Sequence, residues 1–262
     1  MPSPVQNEAK ERKRSIKQLI QERTQNSSLK DDLKELCGNK EFFLLCFSLT
    51  GLFFVVTGIQ YWMPTYLKDV FVLPPDEAAV FFTTTSITAP IFGVIIGGIV
   101  TTSLGGYNTI RAQKLQCFFG GLAVLSAIPI PFTNTFGFFA AEIWLVLFFG
   151  GAILPPVTGI MLNSVPESKR TSANSIANLC YNLFGYFPAP SFYGMVSSIT
   201  PTKDSKIPMG CLMYTTIVTV GVLWYGISLK IKNDRAQQTF LAGGGTGSTD
   251  VVGLKKRAAR KD

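Results

Sequence analysis

Six stretches without a charged side chain, residues 42–67, 78–110, 115–141, 143–166, 171–202 and 207–229, alternate along the chain with short polar segments. Each exceeds the roughly 20 helical residues needed to span about 30 Å of hydrocarbon. A helix at the surface of a soluble protein keeps a polar face for water; these runs have none. Backbone groups surrounded by lipid must bond within their own segment, which favours helices. The alternation over about ten residues that marks a membrane strand is not present in the sequence. The pattern predicts helices at about 42–66, 79–103, 115–132, 137–162, 172–199 and 208–230. Turn chemistry separates them at Pro74-Pro75-Asp76, Gly105-Gly106-Tyr107-Asn108, Thr133-Asn134, Pro166-Glu167-Ser168 and from Pro201 to Pro208.

The flanks read differently. Residues 1–40 are polar, with a basic cluster from Lys10 to Lys17 and no apolar signal core, so the first span is expected to act as its own insertion signal. Ser28 with Asp31 three residues on has the spacing of a helix cap and predicts a short amphipathic helix over about 29–36, stopping at Gly38. After Ile231 the chain turns polar again, with a glycine-rich linker from Gly243 to Ser248 and a basic end from Lys255 to Lys261. The expected organisation is a cytosolic amino tail over 1–40, a six-helix domain over 41–231 and a disordered basic tail over 232–262.

Charge orients this arrangement. The chain carries a net +8, and every Lys and Arg except Lys68, Lys203 and Lys206 falls on the side that holds both tails. Basic residues mark the cytosolic side. The expected fold is therefore an all-α membrane protein of six transmembrane helices with both termini cytosolic. This distribution accounts for the basicity without nucleic acid as a partner. There is no histidine, and the five cysteines are scattered without a CxxC pair. Neither a metal site, a cofactor nor an enzymatic nucleophile–base trio is expected.

Several motifs narrow the class. Asp32-Leu33-Lys34-Glu35-Leu36 precedes a span that contains Val56-Thr57-Gly58 and ends in Trp62-Met63-Pro64-Thr65-Tyr66-Leu67. Gly97-Gly98-Ile99-Val100-Thr101-Thr102-Ser103-Leu104-Gly105-Gly106 follows the spacing G-G-x-x-x-D-[RK]-x-G-[RKG], with Thr102 and Ser103 in place of its acid and base. Val165-Pro166 with Arg170 and Ala173, and Leu183-Phe184-Gly185 running to Ala189-Pro190, add two more matches. Together these resemble the carboxyl-terminal six-helix half of a major facilitator transporter, and within that superfamily the Spinster-like branch. The resemblance covers about residues 30–230. It implies half of a major-facilitator-type bundle carrying a small amphipathic or lipid-like organic solute by alternating access. Six spans are half the usual count, which leaves open a separate amino-terminal half, or a second copy of the chain, as partner besides solute and membrane lipids. The alternative is a non-transporting membrane subunit or scaffold that retains the fold.

Candidate pathway residues are Gln60, Tyr61, Thr88, Glu142, Asn178, Tyr181 and Asn182. Glu142 is the one acid within the spans, and an intramembrane acid is costly enough to suggest a function; alternatively it reaches the outer interface. Asn174, Asn178 and Asn182 recur every four residues and form one polar stripe, for solute or for a neighbouring helix. Gln60 and Tyr61 sit in the outer half of the first span beside Trp62, where aromatics also mark the membrane interface. Thr88 belongs to a hydroxyl-rich run from Thr83. By resemblance, Gly97, Gly98, Thr102, Gly105, Arg111 and Arg170 belong to loop motifs or gating elements. Gly93 with Gly97, Gly120-Gly121 and Gly150-Gly151 suit close helix approach, and Pro90, Pro155, Pro156, Pro188 and Pro190 permit bends.

Overall fold

The computed structural model describes residue 36, residues 38–200 and residues 205–242. Among them every regular element is helical. In chain order these are α1 (Lys40–Phe71), α2 (Pro75–Ser103), α3 (Ile110–Ala127) with a 3-10 turn at Ile130–Phe132, α4 (Phe136–Asn163), a short 3-10 turn at Glu167–Lys169, α5 (Arg170–Cys180), a π turn (Tyr181–Tyr186), α6 (Pro188–Ile199) and α7 (Lys206–Ala242). Five of them, α1, α2, α3 with its first 3-10 turn, α4 and α7, are long and apolar enough to cross a membrane.

The span expected as one helix over 172–199 is instead three consecutive pieces, of 11, 6 and 12 residues. The reason lies in Pro188 and Pro190. Each lacks an amide proton, and each ring crowds the carbonyl four residues back. The chain answers by widening one turn ahead of them, so that Phe187 N–H bonds Asn182 O at 3.1 Å, five residues back.

Two other boundaries differ from expectation. The amphipathic helix expected over 29–36 lies outside the described residues except for Leu36, which is buried. Helix α7 continues to Ala242, past the end expected near 230. Its charged continuation, Lys230 to Arg235 followed by Ala236-Gln237-Gln238, is made largely of helix formers, so leaving the apolar region does not end the helix.

Local chemistry sets the ends. The Asn39 side chain accepts from the amides of Glu41 and Phe42 at 3.1 and 3.3 Å and caps α1. Its own amide group donates to Ser164 O at the end of α4, at 2.8 Å. Thr109 caps α3 after a turn in which Gly105 and Gly106 take φ of +97° and +80°, a region open to glycine. Helix α1 ends at Val72, whose φ of +53° is unusual for a β-branched residue.

Helix α2 packs along α4, α1 along α7, and α3 against both α4 and α7, while the segment 170–199 lies along α1. One apolar core centres on Leu45, Leu49, Ile160 and Leu223, a second on Ile59, Met63, Phe139 and Leu212 toward the other end. The α2–α4 contact is backbone on backbone. A side chain at Gly93 would overlap Phe148 O, one at Gly97 would overlap Ala152, and one at Gly151 would lie 2.6 Å from Pro90 O. The small residues singled out in the sequence therefore set this helix spacing. Gly120 meets Val220 and Trp224 on α7 instead, and Gly150 faces open space.

Polar side chains tie together the end where α1 starts and α7 finishes. Lys230 lies 2.7 Å from Asp234 and 3.8 Å from Glu41. Asp234 also accepts from Gln113 on α3 at 3.2 Å, and Asn233 donates to Glu41.

Candidate functional site

The contact between α1 and the broken segment forms an aromatic seam. Phe53 of α1 packs against Tyr181 and Tyr186 of the π turn, with ring centroids 4.9 and 5.1 Å apart. Farther along α1, Phe54 meets Phe192 edge-on at 5.4 Å. Trp62 stacks on Tyr193 at 4.6 Å, and Tyr61 packs edge-on against Trp62. Gly185 admits the backbone of α1, because an added Cβ there would lie 2.8 Å from Thr50 O. Trp62 Nε1–H donates to Pro190 O at 3.0 Å. That bond makes Trp62 a fastener between α1 and α6 rather than an interface marker alone.

The candidate polar groups beside this seam are unequally placed. Gln60 and Tyr61 are exposed on α1. Asn174, Asn178 and Asn182 are exposed on the broken segment, and Asn182 Nδ2 donates to Asn178 O at 2.8 Å. Tyr181 turns inward instead, buried with its hydroxyl 3.6 Å from Met161 Sδ. The amide stripe thus shows an open polar face while its neighbouring tyrosine anchors the segment to α4. Lost helical pairing adds polarity here. Pro188 and Pro190 withdraw amides from the carbonyls upstream of them, and Pro64 withdraws the amide that would otherwise bond Gln60 O.

Glu142 and Thr88 lie on other elements. The Thr133 hydroxyl, in the hairpin before α4, reaches both carboxylate oxygens of Glu142, at 3.1 and 2.9 Å. Glu142 is partly buried and held by its own hairpin, and among the described residues no hydrogen bond links it to the asparagine stripe or to Gln60. Thr88 donates to Thr84 O at 2.8 Å and accepts from Trp144 Nε1 at 3.1 Å, joining α2 to α4.

The loop-motif residues divide by role. Gly97 is a helix contact, while Gly98 has nothing near it. Thr102 donates back to Gly98 O at 2.9 Å, satisfying itself where an acid was expected. Gly105 makes the tight turn. Arg111 is exposed, and Arg170 approaches Glu167 at 3.6 Å while its Nε is buried without a partner. Tyr107, which was not singled out, secures this loop: its ring covers Gly159 of α4, with ring carbon 2.9 Å from where a Cβ would stand. The π turn was missed as well. Its signal in the sequence was Gly185 followed by Pro188-x-Pro190.

Comparison with family models matches the Major Facilitator Superfamily over residues 2–190. The chain belongs to the Major Facilitator Superfamily. Among curated proteins, this facilitator chain is similar to "Protein spinster homolog 3" of Danio rerio, 25% identical over 257 residues, covering 87% of this chain and 50% of that relative. It is also similar to "Protein spinster homolog 1" of Xenopus laevis, 27% identical over 247 residues, covering 84% of this chain and 46% of the relative. The chain spans about half the length of the curated relatives it matches. With its long apolar helices, this member of the superfamily is an integral multi-pass membrane protein.

Proposed function

We propose that this chain is the carboxyl-terminal half of a major-facilitator-type transporter and supplies one wall of a pathway for a small amphipathic or lipid-like organic solute. In this reading the segment 170–199 is the sixth crossing, both termini are cytosolic, and alternating access moves this wall against a second half, from another chain or a second copy. The observation that carries it is the α1–π-turn seam. Along it the exposed residues include amides (Gln60, Asn178, Asn182) and aromatic surface at Tyr61 and Tyr186, residue types that suit a solute with a polar head and an apolar body. Irregular, proline-interrupted helices line the pathway in many transporters. Spinster names among the relatives favour this branch of the superfamily.

The scaffold reading draws on a different observation: Glu142 and Thr88 bond within or between packed helices rather than toward the amide stripe. Reconstitution separates the two. Proteoliposomes holding the chain alone, or with a supplied amino-terminal half, are assayed for uptake of labelled lysolipid-like amphiphiles. Transport requires uptake above empty vesicles that falls when Asn178 and Asn182 are replaced by Leu. A folded chain without uptake in either form leaves the scaffold.

A further inference from the structure

Helices α3 and α7 form an edge of mixed character. Arg111, Lys114, Phe118 and Leu125 are exposed on one stripe of α3, and Trp224, Tyr225, Lys232 and Arg235 are exposed on α7. The two helices run antiparallel and are pinned together at the basic end by the 3.2 Å bond from Gln113 to Asp234. Deeper along the edge, Trp224 Nε1–H donates to Cys117 O at 2.8 Å, and its ring lies 3.5 Å from where a Cβ on Gly121 would stand. The indole covers Gly121 in the shallow groove between the two helices, and helical spacing puts Lys114 on the Gly121 face of α3 and Arg235 on the Trp224 face of α7, toward the basic mouth.

The charge at this mouth is one-sided. Helix α3 contains no acid, and the one acid of α7 is Asp234. Asp234 is already matched by Lys230 at 2.7 Å. Arg111, Lys114, Lys232 and Arg235 make no ion pair among the described residues. Orientation alone needs basic residues somewhere on the cytosolic side. It does not require four unmatched cations above a single apolar groove.

We propose that this α3–α7 groove binds an anionic phospholipid, its phosphate held between Lys114 and Arg235 and an acyl chain lying against the exposed face of the Trp224 indole. Arg111 and Lys232 extend the field that draws the headgroup in. The placement in the inner leaflet rests on the cytosolic orientation proposed above; the groove and its charge do not. A cation near an anionic membrane surface contributes about fivefold to lipid binding, so removing two is expected to lower affinity roughly 25-fold.

Trp224 reports on the site directly. The chain carrying Trp62→Phe and Trp144→Phe, in nanodiscs of phosphatidylcholine with a minor fraction of phosphatidylserine, is compared with brominated acyl chains on one lipid or the other. Brominated phosphatidylserine is expected to quench Trp224 more than brominated phosphatidylcholine at equal fraction. The difference should vanish in Lys114→Gln/Arg235→Gln. Equal quenching by the two lipids, or a preference that survives the double substitution, overturns the proposal. Displacement by millimolar inorganic phosphate, independent of lipid charge, assigns the groove to a free anion and overturns it equally. Native mass spectrometry of the chain with all tryptophans intact gives a second readout, expecting retained anionic lipid that the double variant loses. Both nanodisc leaflets carry the anionic lipid, so a reversed orientation, detected separately by labelling introduced cysteines, leaves the expected preference unchanged.

Discussion

Gly97 and Gly98 are adjacent residues of one helix, and the same substitution should move stability in opposite directions. A Cβ added at Gly97 would stand 2.7 Å from Ala152 Cα and 2.8 Å from Ala152 C, and closer still to its carbonyl oxygen. Ordinary contact begins near 3.4 Å, so α2 and α4 must part by roughly 0.7 Å or more, and backbone atoms cannot rotate aside as a side chain would. The contact is close because Pro156 withdraws the amide that would bond Ala152 O, leaving that oxygen against a glycine Cα–H. Overpacking of this kind costs about 1–3 kcal/mol, while replacing glycine by alanine in a helix returns up to about 1 kcal/mol. With that full return, the net expected for Gly97→Ala is a loss of up to about 2 kcal/mol. Gly98 has nothing within 4 Å, so Gly98→Ala should be neutral or stabilising by up to about 1 kcal/mol. Reversible unfolding in mixed detergent micelles, followed by tryptophan fluorescence, measures both. The two share sequence context and propensity gain, so their difference isolates the helix contact. A Gly97→Ala chain as stable as Gly98→Ala would refute the backbone-on-backbone crossing.

Three further outcomes are expected. Gly185→Val should destabilise the chain by about 1–3 kcal/mol in the same unfolding assay, because its side chain meets Thr50 O and the Phe53 side chain; an unchanged midpoint would mean that the π turn does not rest on α1. Lys230→Met leaves Glu41 and Asp234 without their shared cation, with an expected loss of about 1–3 kcal/mol once partial exposure is allowed for; adding Glu41→Gln and Asp234→Asn should recover most of it, and a triple variant no better than the single would discredit the charge network. Glu142→Gln keeps an oxygen that can accept from Thr133 and should fold normally, while uptake in the reconstitution assay should fall; unaltered transport would remove Glu142 from the pathway.

The positions of the five long helices were legible because lipid forbids charge over about 20 residues, and that prohibition is written residue by residue. The Gly93–Gly97 face was legible for a similar reason: only small residues at that spacing let two backbones meet. The π turn was harder to read. Its cause, two prolines and a glycine, is in the sequence, but whether a helix breaks, bends or widens there depends on what packs beside it, in this case α1 at Thr50. The length of α7 was misjudged because hydropathy marks where a helix leaves the membrane, not where it stops. Candidate polar groups were identifiable by type, yet their partners were not. Glu142 found Thr133 nine residues away, and Trp62 found the carbonyl of Pro190 on a helix 128 residues along the chain.

The connection at Val72 bears on how such a unit can move. Three residues, Val72 to Pro74, join α1 to α2. Two consecutive prolines follow Leu73, and the left-handed backbone at Val72 is closed by amide bonds from residues 72 and 73 to Leu67 O. A strap so short and stiff has almost no slack. It couples the adjoining ends of the two helices mechanically, so they travel together whenever that side of the bundle shifts. In engineering terms, the strap makes one lever of α1 and α2.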